Sequence, residues 1–309
     1  MSEAGPHGIR PAEAEGGFLP PRLLDRLGGL DLIARTVVEG FVGGAHRSPY
    51  RGAGEEFARH RAYQQGDDVR HLDWRLFART DRLFVREYRE DSNLQAYLVV
   101  DATASMGYAD GAGLPKLRYA AYLAAALAYL MLRAGDRVGL ASYGAAPVLH
   151  HPPRNRPGHL HDLLATLERL EPAGDASAAG ALDNVGEALR RKGRVVLISD
   201  LLEDDDGAAL LAALGRLRAR GDETIVLRTL TPEEAGDAPL AAGTFHDPER
   251  PAREVAASPA DDPEYARRVA AYYARLATAM GERGVEYVAV TTARPVELAL
   301  GDWIRVRGS

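Results

Sequence analysis

The sequence predicts an α/β protein, with a mostly parallel sheet covered by helices on both faces and an N-terminal extension. From residue 94 onward, short aliphatic runs alternate with longer helical stretches, which is typical of parallel strands joined by helices. The stretch 116–133 is apolar nearly all round, as expected for a helix packed between a sheet and a further layer. The predicted strands are 96–100, 137–141, 194–198, 223–227 and 285–290, with a short antiparallel edge strand at 146–150, and the predicted helices are 116–133, 157–170, 178–191, 208–220 and 262–283.

Three regions follow one another along the 309 residues, a length that allows one large α/β domain with an appendage. Residues 1–20 are rich in Gly, Pro and Glu, so we expect a flexible leader. Residues 21–93 begin with an amphipathic stretch, 21–42, and continue into an Arg-rich segment that mixes aromatics with charges. We expect this N-terminal block to pack on the core of the α/β domain, residues 94–309.

Composition excludes several classes of function. The 38 basic and 44 acidic residues give a net charge of −6, so we expect no grip on nucleic acid or on an anionic membrane. Cysteine is absent, which excludes disulfides, thiol catalysis and thiolate metal sites. The longest uncharged apolar stretch, 119–132, falls short of the roughly 20 residues of a membrane helix. The N-terminus has no basic-then-apolar leader, and we expect a cytoplasmic protein.

Oxygen-bearing side chains follow the first strand of the α/β domain, in the pattern D-x-T-x-S. Asp101, Thr103 and Ser105 lie on the loop from this strand to the next helix, so three oxygens can face one point. Ser177 and Asp200 lie on later loops, and functional groups of an open α/β sheet gather at the carboxyl ends of its strands. The five residues predict an all-oxygen site with an open position, suited to Mg²⁺, with Mn²⁺ or Ca²⁺ as alternatives.

Ordinary structural roles also fit these residues. Asp101 at a strand end is in position to cap the following helix. Ser177 precedes the predicted helix 178–191 and suits an N-cap as well as it suits a ligand, which makes it the weakest member of the predicted set.

The constellation resembles the metal-ion-dependent adhesion site of von Willebrand factor A domains, which have a Rossmann-like α/β fold. Their pattern is D-x-S-x-S, with a Thr and an Asp from two later loops. Here Thr103 stands in for the first Ser and Ser177 for the Thr, and both replacements keep a hydroxyl. The resemblance implies a cation whose open position takes a carboxylate from a partner.

The N-terminal block resembles the hallmark block of the domain of unknown function fifty-eight family, through the segments 51–57, 61–74 and 78–79. Residues 229–234, 245–247 and 265–280 are similar to its C-terminal region, so the resemblance spans about Leu24 to Leu298. It implies a von Willebrand factor A-like domain after the block. Many members carry membrane helices before the block, and we expect this chain to be a soluble version.

Within the block, the residue types predict a packed polar network. Trp74 and Tyr63 can supply buried area, and Arg79 can pair with Asp73. We expect this network to pin the block onto the sheet rather than to bind a partner.

These patterns favour a non-catalytic, metal-dependent protein-binding or adaptor module. Members of the family often accompany MoxR-type AAA+ ATPases, which implies a chaperone-like role with such a partner. The alternative is a haloacid-dehalogenase-like, Mg-dependent phosphohydrolase. Its residues would be Asp101, Ser142, Lys192 and Asp200 with Asp204, but Thr103 stands where such enzymes need a general acid.

Overall fold

The structure is a computed structural model that describes residues 18–24, 28–44, 57–62, 84–88, 94–109, 111, 113–203, 205–237, 243–246, 254–257 and 263–307. Most of the N-terminal block, including Tyr63, Asp73, Trp74 and Arg79, lies outside these residues, as does nearly all of the predicted leader. The predicted polar network and the proposed domain boundaries therefore stay predictions.

Within the described residues, six strands form the central sheet. They are β3 (Gln95–Asp101), β4 (Arg137–Tyr143), β5 (Val148–Arg154), β6 (Gly193–Ser199), β7 (Glu223–Leu230) and β10 (Glu286–Thr291). The order across the sheet is β10-β7-β6-β3-β4-β5, and every pairing is parallel except that of β5 with β4. Two antiparallel pairs stand apart from this sheet, β1 (Phe57–Ala62) with β2 (Phe84–Tyr88) and β8 (Gly243–His246) with β9 (Glu254–Ala257).

The described helices follow the predicted alternation with strands, and a short 3₁₀ turn at Ala104–Gly107 follows β3. They are α1 (Pro21–Leu24), α2 (Leu30–Gly44), α3 (Lys116–Arg133), α4 (His159–Glu168), α5 (Ala178–Ala188), α6 (Ala208–Arg220), α7 (Pro232–Ala235), α8 (Pro263–Glu282) and α9 (Val296–Arg307).

Helices cover both faces of the sheet, and alternate residues of each strand point to opposite layers. In β3, Leu98 joins a core cluster with α2, α3, α4 and α9, whereas Val99 joins a second cluster with α5, α6 and α8. The predicted α/β class, with a mostly parallel sheet between two helical layers, is confirmed.

Helix α3 is buried over nearly its whole surface, as its apolar sequence predicts. The reason is a further helical layer, since α2 and α9 both pack on α3. Ile33 and Val37 of α2 belong to the same core cluster as Leu123 of α3. The predicted amphipathic stretch 21–42 forms two helices, α1 and α2. Gly28, which precedes α2, has a φ of +102°, a conformation that suits glycine.

The edge strand β5 is antiparallel, as predicted, but it runs from Val148 to Arg154 rather than over 146–150. Pro152 and Pro153 argue against a strand in the sequence. An edge strand has one side without partners, and proline is tolerated there because its missing N–H breaks no ladder. The pairing register shifts around Leu140, opposite this segment.

Candidate functional site

The predicted site lies where the chain changes direction across the sheet. From β3 the chain passes to β4 on one side, and β6 returns to pair with β3 on the other side. Crevices of open α/β sheets form at such switch points, outside the carboxyl ends of the strands. Asp101 is the last residue of β3, and Asp200 directly follows β6, so both carboxylates lie at this crevice.

Backbone hydrogen bonds hold the surrounding loops together. Ala173 N donates to Ala102 O at 2.8 Å, and Ala104 N donates to Gly174 O at 2.9 Å. The loops also meet at Gly144, where a Cβ would stand 2.6 Å from the carbonyl oxygen of Ala102 and 2.7 Å from that of Ala173. Glycine is required at this close approach, and the loop bearing the D-x-T-x-S pattern is thereby fixed in place.

Asp101 is a buried carboxylate, 3% exposed, surrounded by hydroxyl groups. Its Oδ1 accepts from Thr103 N at 2.9 Å and from Thr103 Oγ1 at 2.7 Å. Its Oδ2 accepts from Ser199 Oγ at 2.6 Å and from the Tyr143 hydroxyl at 2.9 Å. Among the described residues, no basic side chain bonds to it. Burial, and after it the charge of Asp200, raises the pKa of Asp101 to about 7.

A chain of hydrogen bonds joins Asp101 to Asp200. The hydroxyls of Thr103 and Ser105 lie 3.0 Å apart, and Ser105 in turn hydrogen-bonds to Asp200. Ser105 and Asp200 are 3% and 2% exposed. The structure thus brings together four of the five predicted ligands, and all four are buried.

The loop after β6 is held in an unusual conformation. Leu201 has a φ of +59°, a region that side chains other than glycine rarely adopt. Two side chains hold it there: Ser199 Oγ accepts from Leu201 N at 2.9 Å, and Asp200 Oδ1 accepts from Leu202 N at 3.1 Å. Backbone strain that the surroundings maintain is often found at functional sites.

Lys116, which the sequence analysis did not assign to the site, is bonded to Asp200. Its Nζ lies 2.7 Å from Asp200 Oδ2 and 2.8 Å from Glu234 Oε1. Burial by itself lowers the pKa of the Lys116 ammonium, but the charges of Asp200 and Glu234 outweigh it and hold that pKa above its usual range. Burial by itself would raise the pKa of Asp200. The charge and the hydrogen bond of Lys116 outweigh burial, so the pKa of Asp200 lies below its usual value.

A sequence signal for this residue exists. Lys116 and Lys192 are the only lysines in a chain whose other basic residues are all arginine. A lysine at the start of a buried helix is therefore conspicuous. Tyr143 and Ser199 carry no comparable signal, because each is simply the last residue of a buried strand.

Ser177 lies at the rim and acts as a helix cap. Its Oγ accepts from Ala179 N at 3.2 Å and donates to Glu203 Oε2 at 3.0 Å. Glu203 also accepts from Ala178 N at 3.3 Å, and burial raises the pKa of Glu203. The N-cap role of Ser177 is confirmed, whereas its role as a ligand stays a prediction.

A cleft of about 160 Å³ leads from the surface to Asp101 and Thr103. Carboxylates of Asp175, Glu203 and Asp205 line it, and of the described residues along its walls none is basic. Leu202, 55% exposed, stands at its edge. The cleft is therefore acidic, and it reaches the buried site from the side of Asp101.

The donor set fits a hard divalent cation. Asp101, Thr103 and Ser105 offer carboxylate and hydroxyl oxygens, which Mg²⁺, Mn²⁺ and Ca²⁺ prefer. Among the described residues no group of three or more His, Asp or Glu side chains forms a metal site, so any cation here depends on the two hydroxyls. Both oxygens of Asp200 already accept a hydrogen bond, Oδ2 from Lys116 Nζ and Oδ1 from Leu202 N, so a cation would have to share or displace these donors.

Asp101 and Asp200 of the alternative phosphohydrolase meet at the crevice, but Lys192 does not join them. Lys192 directly precedes β6, and parallel pairing sets Gly193 opposite Gln95, the first residue of β3. Lys192 therefore lies at the amino edge of the sheet, the edge at which the parallel strands begin. Asp101 lies at the opposite end of β3, and the rise of a strand over this length puts the two residues roughly 20 Å apart. Ser142 Oγ bonds instead to His150 Nε2 at 2.7 Å, and Asp204 lies outside the described residues.

Comparison with known proteins finds relatives over nearly the whole chain. A family model described as "Protein of unknown function DUF58" matches residues 59–271. The uncharacterized protein Rv1480 of Mycobacterium tuberculosis is 30% identical over 298 residues, covering 95% of this chain and 90% of that protein. The uncharacterized protein Mb1516 of Mycobacterium bovis matches with the same identity and coverage.

Similar solved structures include the conserved hypothetical protein BatB from Bacteroides thetaiotaomicron, with a TM-score of 0.47 and 16% identity, covering 70% of this chain and 100% of that chain. The SpRpn10 VWA domain gives a TM-score of 0.44 and 12% identity, and the match covers 68% of this chain and 95% of that chain. The fold assignment rests on the strand order and directions given above. Among the described helices, none has the length and apolar character that crossing a membrane demands.

Proposed function

The chain belongs to the DUF58 family, and we propose that it is a non-catalytic module that binds a protein partner through a divalent cation. Asp101, Thr103 and Ser105 would hold the cation directly. Asp200 and Ser177 would complete the set, directly or through water. Mg²⁺ is the proposed metal, with Mn²⁺ or Ca²⁺ as alternatives.

The observation that carries this proposal is the charge imbalance at Asp101. A buried carboxylate ordinarily has a cationic partner, because desolvation of an isolated charge is costly. Asp101 has four hydrogen bonds from neutral donors and a second carboxylate nearby that raises its pKa. A divalent cation would supply the missing positive charge at the floor of the cleft.

The acidic walls of the cleft bear on how a partner would bind. A carboxylate that approaches Asp175, Glu203 and Asp205 is repelled while no cation is present. When bound, the cation would offer its open position to that carboxylate as a ligand. We therefore expect association to depend strictly on the metal.

The proposed partner is a MoxR-type AAA+ ATPase, in keeping with the family resemblance, and the proposed location is the cytoplasm. The net charge of −6 argues against nucleic acid as the partner. Catalysis by the site is not part of the proposal, since Thr103 offers no general acid to a leaving group.

The metal is tested by calorimetric titration of the full chain with Mg²⁺, Mn²⁺, Ca²⁺ and Zn²⁺. We expect binding of the first three and weaker binding of Zn²⁺. Asp101→Asn should abolish metal binding. The control is Asp183→Asn, which removes an exposed carboxylate that pairs with Arg216 and is not part of the proposed site, and it should leave metal binding unchanged. Absence of divalent binding to the wild type at millimolar concentration would contradict the proposal.

The partner is tested by capture of a purified MoxR-type ATPase on the immobilised chain, with Mg²⁺ and with EDTA. Capture should require both the metal and Asp101. Equal capture by folded Asp101→Asn and wild type would mean that another surface recognises the partner. Turnover of p-nitrophenyl phosphate that depends on Asp101 would instead favour a hydrolase.

A further inference from the structure

Lys116 occupies a position that by itself is unfavourable for a positive charge. It is the first residue of α3, where the helix dipole opposes a cation, and it is 2% exposed. A buried ammonium is stable only when carboxylates surround it closely. Asp200 and Glu234 provide this, at 2.7 and 2.8 Å.

The two carboxylates differ in what else they do. Asp200 belongs to the proposed metal site through its hydrogen bond with Ser105. Glu234 lies outside that site, and its side chain is 32% exposed. Its other oxygen, Oε2, accepts from Thr231 N at 2.9 Å in the capping box of α7, which fixes the carboxylate beside the ammonium.

We propose that Lys116 is a built-in cation that competes with the divalent metal for Asp200, and that Glu234 retains the ammonium when the metal takes Asp200. This inference rests on the proposed function and concerns its regulation. The contacts support it because Asp200 has one carboxylate oxygen on Lys116 and the other on Leu202 N, so neither oxygen is free. Metal affinity is then set by how firmly Lys116 holds Asp200.

The first test measures Mn²⁺ binding to the full chain by calorimetry. Lys116→Met removes the competing charge and should tighten Mn²⁺ binding by about tenfold or more. Arg118→Met is the matched control, because it removes a positive charge from the same helix two residues away, where Arg118 stacks on Tyr122. This control should change the affinity by less than about twofold.

A second readout is thermal stability. Without metal, Lys116→Met leaves Asp200 buried without a cation, so its melting temperature should fall. Mn²⁺ should then raise the melting temperature of this variant by more than it raises that of the wild type.

The third measurement concerns Glu234. In Glu234→Gln the ammonium has Asp200 as its one remaining carboxylate, so Mn²⁺ binding should weaken by about threefold or more. The control Glu233→Gln removes a neighbouring charge that accepts from Gly111 N and does not contact Lys116. The effect of Glu234→Gln should vanish in the Lys116→Met background, because Glu234 acts through the ammonium.

The outcomes separate this inference from the proposed function. Unchanged or weaker Mn²⁺ binding by Lys116→Met, or equal tightening by Arg118→Met, overturns the inference and leaves the metal site standing. Absence of Mn²⁺ binding in every variant overturns both. Should Lys116→Met fail to fold, Glu234→Gln decides: weaker binding than Glu233→Gln supports the competition, and equal binding overturns it.

Discussion

Buried carboxylates lie at both the amino edge and the carboxyl edge of the central sheet, where its parallel strands begin and end. The charges of these carboxylates are balanced differently at the two edges. At the amino edge, Asp222 is fully buried, accepts from Gly193 N at 2.8 Å and pairs with Arg220 at 2.6 Å. At the carboxyl edge, Asp101 is almost as buried and accepts four hydrogen bonds, all from neutral groups.

A buried arginine at the amino edge is also paired with carboxylates. Arg194, 3% exposed, lies 2.5 Å from Glu223 and 3.8 Å from Asp136. Arg220 also donates to the carbonyl oxygens of Gly186 and Leu189 at the end of α5. These bonds join β6 and the start of β7 to the ends of α5 and α6, which is a structural role.

At the carboxyl edge, by contrast, one ammonium serves two carboxylates. Lys116 pairs with Asp200 and Glu234, and nothing comparable reaches Asp101 among the described residues. Burial of a carboxylate therefore does not by itself mark a functional site. The informative feature is a buried carboxylate whose charge the fold leaves uncompensated.

The largest expected effect contrasts the two edges directly. Asp222→Asn should destabilise the protein by about 3 kcal/mol, the lower end of the range for a buried pair, because Arg220 is partly exposed. Asp101→Asn should stay within about 1 kcal/mol of the wild type, since it removes an uncompensated buried charge. Urea unfolding in EDTA measures both. An equal loss of unfolding free energy in the two variants would mean that the charges of Asp222 and Asp101 are balanced alike.

A smaller effect is expected at the rim of the cleft. Ser177→Ala removes the N-cap of α5 and the bond to Glu203, and should cost about 1 kcal/mol of unfolding free energy. Ser177→Asn, which keeps a capping side chain, should restore most of it. Calorimetry with Mn²⁺ then sharpens the assignment, because weaker binding by Ser177→Asn would show that the serine hydroxyl is a ligand.

The smallest effect concerns the antiparallel edge of the sheet. Burial lowers the pKa values of His150 and His151 below the ordinary value of about 6.5, so the folded state favours their neutral forms. In the window below pH 6.5 these two histidines bind more protons in the unfolded chain, so their contribution to stability falls as the pH falls. Buried Asp101, with its raised pKa, contributes in the opposite direction. The change in urea midpoint from pH 7.5 to pH 5.5 should therefore be more favourable in the double variant His150→Gln, His151→Gln than in the wild type. An unchanged difference would place the titrating groups elsewhere.

Much of this architecture was predictable because it depends on local patterns. The strands and helices of the α/β domain lie close to the predicted positions, and Asp101, Thr103, Ser105 and Asp200 meet at one crevice. Parallel strands align their carboxyl ends, so the loops that follow β3 and β6 had to be neighbours once those two strands paired. The antiparallel pair β8 and β9 and the helix α9 were missed, since their short or mixed patterns show no strong period.

The order of strands, helices and oxygen-bearing loops is local information, and from it the sequence predicted the α/β class, the family and the candidate site residues. The tertiary structure alone decided how their charges are balanced. Lys116 meets Asp200 across 84 residues, and Ser199 meets Asp101 across 98. Such contacts depend on strand order, on pairing register and on the depth at which each loop is packed. These are long-range properties, and no local period in the chain encodes them.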